Sequence, residues 1–341
     1  TSLMNSGIEG LEDADAFVLI GTNPRLEAPL VNTRIRKQAM KGAPVLVVGE
    51  EADLTYASTH SGTDISALEA LAKPTTKLGK LLKGKENIAV IIGAKGVLTR
   101  ADARAQMREI LSFCEKLNVA RKDWNGLNVL HQHAGRAGVL ALDVTPEDKG
   151  MDASAIYKAL KKGDVDVLWQ FGEGDTRGES LSGAKFSIYM GTHKTDTAKD
   201  ADLMLPTAAY TEKDGLWMNT EGRVQEAKAA AQPPLNAKED WKIFRALSDV
   251  FGSTLPFNTL SSLRECMAED WPVLADSHWG EKQSFEISFK ADKSSAKETA
   301  YKAPVASYYL SNEILKASPV MAECAAENGA AKFKPSMKKV S

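Results

Sequence analysis

Cysteine is scarce in this chain: Cys114, Cys266 and Cys324 are the only three among 341 residues. They lie far apart, with no CxxC pair and no local histidine partner. Small domains held by disulfides need many cysteines, and iron–sulfur and zinc sites need thiolates grouped at short spacings. The sequence therefore excludes a disulfide scaffold and a metal site built from these cysteines alone.

Long apolar runs and an excess of one charge are also missing. No stretch of about 18 apolar residues occurs, so no segment of the sequence is predicted to span a bilayer. Lys and Arg number 43 against 45 Asp and Glu, a net charge of −2. Binding to nucleic acid needs a basic face, and a nearly equal number of basic and acidic residues does not favour one. What remains is an ordinary globular composition, with 43% hydrophobic and 26% charged residues.

Short apolar runs alternate with helical patterns along most of the chain. The runs 13–21, 44–49 and 87–93 are typical of buried parallel strands, and helices are predicted over about 27–40 and 99–117. Further strands are predicted at 127–130, 164–171 and 184–190, and further helices at 152–162 and 238–250. In the predicted helix 238–250 we expect Trp241, Phe244, Leu247 and Val250 to point inward. This order predicts an α/β fold of doubly wound, mainly parallel sheets built from Rossmann-like βαβ units.

The composition changes along the second half of the chain. Turn residues within 210–226 predict an irregular hairpin, and the segment after about 283 turns to Lys, Ala and Ser. We expect an α/β domain over 1–280, with possible sub-boundaries near 60–85 and 145. Residues 281–341 are then an extension with one helix near 312–327, disturbed at Pro319, and a flexible tail.

Candidate ligand sites are few and weakly marked. Gly21 ends the first strand, and Gly172 and Gly174 follow a later one, where backbone N–H groups can meet a phosphate. Neither place has the full GxGxxG pattern, and glycine suits such turns without any ligand. His131 and His133 lack a third ligand at a suitable spacing. No nucleophile–base signature appears, so the residues predict neither a catalytic group nor a metal site.

The hairpin carries a dense polar group. Glu212, Asn219, Glu221 and Arg223 lie close in sequence to the aromatic residues Tyr210 and Trp217. Such a group can bind a polar cofactor through hydrogen bonds, or it can fasten an irregular loop through pairing of Arg223 with a carboxylate. Composition leaves both interpretations open.

Several blocks of this sequence resemble the molybdopterin oxidoreductase family. Those around the hairpin are 195–206, 208–215 and 219–225, the last reading Asn-Thr-Glu-Gly-Arg-Val-Gln. The block 18–29, with Asn-Pro-Arg-Leu-Glu-Ala-Pro, and the blocks 32–37, 53–56, 239–248 and 255–260 are most similar to the large iron–sulfur subunit of respiratory complex I. The resemblance runs from about residue 11 to 327 and matches the C-terminal part of that subunit.

The resemblance implies a division of roles. In complete subunits the iron–sulfur clusters (2Fe-2S and 4Fe-4S) lie in a cysteine-rich N-terminal region, which this sequence does not contain, and FMN lies elsewhere in the complex. The chain then carries no cofactor of its own and is a scaffold in the peripheral arm. Gly21, Asn23, Arg25, Glu212, Asn219 and Arg223 become structural relics of a former pterin site, with no catalytic residue or metal ligand expected.

The resemblance also implies partners, a location and two alternatives. The partners are other peripheral-arm subunits, including the cluster-bearing N-terminal half, on the matrix side of the mitochondrial inner membrane or on the cytoplasmic face of a bacterial membrane. Direct insertion into the membrane and nucleic-acid binding are not expected. One alternative is a fragment of an active molybdopterin enzyme such as a formate dehydrogenase, and a weaker one is a generic Rossmann nucleotide binder.

Overall fold

A computed structural model describes residues 3–146, 150–172, 182–193, 198–275, 295–302, 305, 307–310 and 313–327. Gly174 and the predicted tail beyond residue 327 lie outside these ranges. The strands are β1 Ala16–Ile20, β2 Val45–Val48, β3 Thr59–Gly62, β4 Ile88–Gly93, β5 Ala120–Arg121, β6 Trp124–Asn125, β7 Leu127–Leu130, β8 Val165–Phe171, β9 Ala184–Gly191, β10 Leu203–Pro206, β11 Gly215–Met218 and β12 Val224–Ala227. The helices are α1 Gly7–Gly10, α2 Pro24–Glu27, α3 Pro29–Ala39, α4 Ala67–Ala72, α5 Gly79–Leu82, α6 Ala103–Lys116, α7 Arg136–Ala141, α8 Ala153–Lys162, α9 Asp240–Val250, α10 Leu260–Asp270, α11 Glu313–Ala317 and α12 Pro319–Glu327.

The chain folds into two compact units. Unit 1 comprises Thr1–Ala141, Met218–Arg223 and Trp279–Tyr308, and unit 2 comprises Leu142–Trp217, Val224–His278 and Tyr309–Ser341. Among the described residues, no helix is long and apolar enough to cross a membrane.

Unit 1 is built on a five-stranded parallel sheet in the order β3-β2-β1-β4-β7. Every residue of β1, β2 and β4 is buried, which explains why these strands read as unbroken apolar runs. The order reverses between β1 and β4, because β2 and β3 follow on one side of β1 and β4 and β7 on the other. In open α/β sheets, ligands bind beyond the carboxyl ends of the strands at such a reversal.

The helix predicted over about 27–40 is confirmed as α3, Pro29–Ala39, and a short further helix, α2, precedes it with Ala28 as the boundary residue. Pro29 opens α3 and has no N–H group with which to continue a preceding helix. The predicted break at Pro319 is confirmed, since Ser318 separates α11 from α12.

Unit 2 is built on a three-stranded parallel sheet in the order β10-β9-β8. Helix α9 packs on it through an aromatic cluster, with the Phe244 ring 5.8 Å from Trp169 and 5.2 Å from Phe171. The prediction that Val250 points inward is wrong, since its exposure is 81%. Val250 follows Phe244 by six residues, which places the two side chains about 240° apart around the helix axis, so they cannot share a face.

Candidate functional site: the carboxyl edge of the five-stranded sheet

The carboxyl ends of β1 and β4 lie in direct backbone contact. A Cβ atom added to Gly93 would lie 2.2 Å from the Gly21 carbonyl oxygen, and one added to Gly96 would lie 2.1 Å from it. Gly21 itself has a φ of +60°, and a Cβ there would lie 2.9 Å from Val97. These glycines therefore permit two loops to approach each other, which a side chain would prevent.

The segment 295–302, which we call the strap, crosses the same edge. The Tyr301 N–H donates to the Thr63 carbonyl at 2.9 Å, and its carbonyl accepts from the Glu50 N–H at 3.0 Å. The Tyr301 side chain is only 1% exposed and lies against Gly21 and Gly49. An aromatic residue from the chain itself thus covers the ends of β1 and β2.

Gln106 of α6, together with Asp102 and Arg100 just before this helix, anchors the strap. The Tyr301 hydroxyl donates to the fully buried Gln106 amide oxygen at 2.5 Å, and the Gln106 amide nitrogen donates to the Lys297 carbonyl at 3.0 Å. Asp102 accepts from the Lys297 N–H at 2.7 Å, and the Arg100 guanidinium lies 5.4 Å from the centre of the Tyr301 ring. Buried polar groups that are satisfied in this way fix one arrangement of the chain.

The anchor shifts the ionisation of two of its groups. Burial favours the neutral form of Asp102, but hydrogen bonds from the Lys297 N–H, Gln106 and Arg100 outweigh it and lower the pKa of that carboxyl to about 2. Burial raises the pKa of the Tyr301 hydroxyl above its usual range. The carboxyl of Asp102 is therefore held as an anion and the phenol as a neutral donor.

A buried carboxyl group lies just beyond β1. Glu27 accepts from the Thr22 hydroxyl at 2.8 Å and from the Asn23 N–H at 2.6 Å. Its second oxygen and the Asn23 side-chain oxygen are buried without a hydrogen-bond partner in the described part of the chain. Burial raises the pKa of Glu27 to about 7 despite both hydrogen bonds and the nearby Lys95. When Glu27 is ionised, this turn presents unpaired acceptors, which a phosphate, itself an acceptor, cannot satisfy.

The structure gives each candidate at this edge a local role. Gly21 provides the close contact described above, and the Asn23 N–H binds Glu27. The guanidinium of Arg25 pairs with Asp53 at 2.5 Å. The pKa of Asp53 is lowered by a hydrogen bond from the Thr55 N–H and, to a smaller extent, by the Arg25 guanidinium.

The hairpin candidates fasten loops. The Asn219 side-chain oxygen accepts from the N–H groups of Glu221 and Arg223, at 3.1 and 2.9 Å, and shapes the hairpin tip. Buried Glu221 accepts from the Ile8 N–H at 2.8 Å, which ties the tip to the N-terminal segment of unit 1. In unit 2, Glu212 accepts from the Ala209 N–H at 2.9 Å and closes a turn. Asn219 and Glu221 thus fasten the loop through backbone N–H groups, and the predicted pairing of Arg223 with a carboxylate stays a prediction.

Unit 2 contains a cleft of about 620 Å³ beside Glu212 and Trp241. Its charged side chains pair locally: Lys213 binds Asp240, and Lys242 binds Glu239 at 2.5 Å. Among the described residues, no three of His, Cys, Asp and Glu are grouped so that they could hold a metal ion. We therefore find no convergent set of ligand-binding groups in this cleft.

Comparison with known proteins agrees with this fold. Residues 1–250 match the family model described as molybdopterin oxidoreductase. The chain belongs to the molybdopterin oxidoreductase family. Residues 273–324 match a second model, which describes the C-terminal region of an NADH-ubiquinone oxidoreductase subunit. Sequence reasoning identified this family but missed Tyr301; the signal was one aromatic residue within 290–307, a stretch rich in Lys, Ala and Ser.

Individual relatives point to one branch of the molybdopterin oxidoreductase family. The chain is 35% identical over 327 residues to NADH dehydrogenase [ubiquinone] iron-sulfur protein 1, mitochondrial, of Solanum tuberosum. It is 34% identical over 333 residues to the mitochondrial NADH-ubiquinone oxidoreductase 78 kDa subunit of Neurospora crassa. Each alignment covers 95% of this chain but 43% of the relative. The chain thus spans less than half the length of the curated relatives it matches.

The residues at the carboxyl edge do not fit the pyrophosphate of a pterin dinucleotide. Phosphate binding at a βα turn needs exposed N–H groups and open space between the strand ends. Here Gly21 contacts Gly93 and Gly96, and Tyr301 covers Gly21 and Gly49. The carboxyl of Glu27 also receives the Asn23 N–H, a donor that would otherwise be available to an anion.

Proposed function

We propose that this chain is a cofactor-free structural part of the peripheral arm of respiratory complex I, the enzyme that transfers electrons from NADH to ubiquinone and couples this to proton translocation. The observation that carries the proposal is the closed carboxyl edge, where Tyr301 and the loops at Gly21 and Gly93 occupy the place of a ligand. Similarity over 95% of the chain to mitochondrial subunits of NADH-ubiquinone oxidoreductase supports the choice of complex.

The proposal extends to cofactors, partners and location. Iron–sulfur clusters belong to the upstream part of the subunit, FMN belongs to another subunit, and this chain contacts other peripheral-arm subunits. The proposed location is the matrix side of the mitochondrial inner membrane, or the cytoplasmic face of the membrane if the source is bacterial. The mitochondrial relatives support the first of these locations.

The alternative, a fragment of an active molybdopterin enzyme such as a formate dehydrogenase, needs an open dinucleotide site. Opening the carboxyl edge would require displacing the strap and separating two loops in backbone contact. Both changes expose buried apolar surface, which is unfavourable. The closed edge therefore favours the scaffold over the enzyme fragment.

Metal and pterin content tests the proposal directly. We expect the purified chain to contain no stoichiometric molybdenum or iron by elemental analysis, and no pterin fluorescence after oxidative extraction. It should not reduce artificial acceptors with NADH or formate. In extracts, an antibody to the chain should detect it at the position of NADH dehydrogenase activity on a native gel. Stoichiometric molybdenum, bound pterin, or migration only as a solitary monomer would contradict the proposal.

A further inference from the structure

One face of the unit 2 sheet is apolar along all three strands. Register pairs Val167 with Phe186 and Ile188 with Leu203, and side chains at paired positions of parallel strands point to the same side. This face therefore carries alternate residues of β8 from Val165 to Phe171, alternate residues of β9 from Ala184 to Met190, and Leu203 and Leu205 of β10. None of them is charged, and their one hydrogen-bonding group is the buried indole N–H of Trp169, so we call this surface the apolar face of unit 2.

Among the described residues, helix α9 covers the apolar face around Trp169. There Phe244 packs on Trp169 and Met190 is 1% exposed, although Phe171, which also contacts Phe244, stays 57% exposed. Toward the amino ends, Val167 is 59% exposed, Phe186 43% and Leu203 39%. The uncovered residues are neighbours on adjacent strands and form one continuous patch.

The opposite face of the same strands behaves differently. Its exposed positions carry the ion pair between Asp166 and Lys185, at 2.6 Å, which suits contact with water. Parallel sheets are covered on both faces in nearly all known proteins, and contiguous exposed apolar patches mark contact surfaces. The open half of the apolar face is therefore expected to be covered in the assembled protein.

The length of the relatives indicates what covers it. Alignments that use 95% of this chain use 43% of each relative, and residues 273–324 match a model of the C-terminal region. More than half of each relative's chain therefore lies largely upstream of the matched part. We propose that the amino half of the apolar face of unit 2, at Val167, Phe186 and Leu203, docks an apolar surface of the polypeptide that carries this upstream part.

This proposal rests on the proposed function, because it assumes that the chain works beside an upstream half. It adds the surface of contact and the chemistry of the partner. The amino half of the face has no charged or hydrogen-bonding side chains, so it suits an apolar helix or strand layer, and an acidic or basic segment would lose hydration there without gaining a partner.

Charge insertion on the face tests the proposal. The upstream polypeptide from the same organism is expressed as a separate chain, and its affinity for the full chain is measured by isothermal titration calorimetry. We expect V167E and F186E each to weaken binding at least tenfold, because a carboxylate would be buried without a partner. The matched control is L235E, which adds the same charge at a position of unit 2 that is 98% exposed, and it should bind like the wild type.

A second measurement uses the unmodified chain, so it does not depend on the variants folding. Hydroxyl-radical footprinting reports the accessibility of Phe186 and Leu203, which should fall on addition of the upstream polypeptide while that of Leu235 stays constant. Equal binding by all three variants, or no binding by the wild type, would overturn the proposal. So would self-association in sedimentation experiments that V167E abolishes, since the face would then belong to a second copy. Molybdenum and pterin content decides the proposed function separately.

Discussion

The two parallel sheets of this molecule differ in how they are covered. In unit 1 every residue of β1, β2 and β4 is buried, and the strap closes the carboxyl edge. In unit 2 the strand β8 contains three exposed residues, and its apolar face is covered only in part by the described residues. The strands of unit 1 are unbroken apolar runs, whereas β8 and β9 alternate apolar residues with polar ones such as Asp166 and Lys185. Part of the difference therefore lies in the strands themselves and part in what covers them.

The two units differ in which residues cover their sheets. In unit 1 the ends of β1 and β2 are covered by the chain's own Tyr301. The face around Val167 has no such cover among the described residues. One sheet is thus covered by the chain itself at its carboxyl edge, whereas we propose that the other is covered by a second surface.

Removing Tyr301 should produce the largest effect on stability. Y301A deletes a fully buried aromatic ring and its hydrogen bond to Gln106. Large-to-small changes of this kind cost about 4 kcal/mol in the free energy of unfolding. Urea denaturation measures the loss. The control Y308A removes the same side chain at a position that is 50% exposed and should change stability much less. A similar loss in both variants would mean that the strap does not stabilise unit 1.

The corresponding change in unit 2 should cost less. F244A removes the ring that packs on Trp169 and Phe171, but Phe244 is only partly buried. We expect a loss of about 2 kcal/mol, roughly half that of Y301A. Tryptophan fluorescence during urea unfolding reports the transition near Trp169. A loss as large as that of Y301A would show that the two sheets are equally dependent on their covers.

The buried strands of unit 1 are predictable from sequence, but the strap is not. Unbroken apolar runs such as 44–49 predict doubly buried strands, because burial on both faces leaves no polar position. The family resemblance also comes from local blocks of sequence. Tyr301 lies far along the chain from Gly21, and no local pattern encodes a contact between such distant residues.

One error in the sequence prediction has a simple physical cause. The helical pattern assigns Val250 to the core, although its angle on the helix differs from that of Phe244. The roles of the hairpin residues stay open in the sequence because Asn219 and Glu221 bind backbone N–H groups, which composition does not reveal.

Neutralising Asp102 should loosen the strap in a pH-dependent manner. Its pKa of about 2 lies below the ordinary value of 3.8, so its contribution to stability is present above pH 4 and is lost as pH falls toward 2. D102N should cost about 1 to 2 kcal/mol at pH 7, because the amide cannot accept from Arg100, Gln106 and the Lys297 N–H together. Thermal unfolding at pH 7 and pH 2.5 measures this. The control is D166N, at an exposed ion pair of unit 2. A D102N loss that persists unchanged at pH 2.5 would contradict the ionic role.

The smallest effect should come from Glu27 and should have the opposite sign. Its pKa of about 7 exceeds the ordinary value of 4.5, so the folded state holds the proton more tightly and loses stability as pH rises from 4.5 to 7. E27Q keeps an oxygen that can accept from Thr22 and Asn23 but removes the buried charge. We expect it to stabilise the protein by about 1 kcal/mol at pH 8 and to match the wild type near pH 4.5. Urea denaturation across this range measures the difference, with E212Q as the control for loss of a carboxylate that closes a turn. If E27Q instead destabilised the protein at pH 8, the carboxylate would have a partner at this edge, and the edge would not be closed by the chain alone.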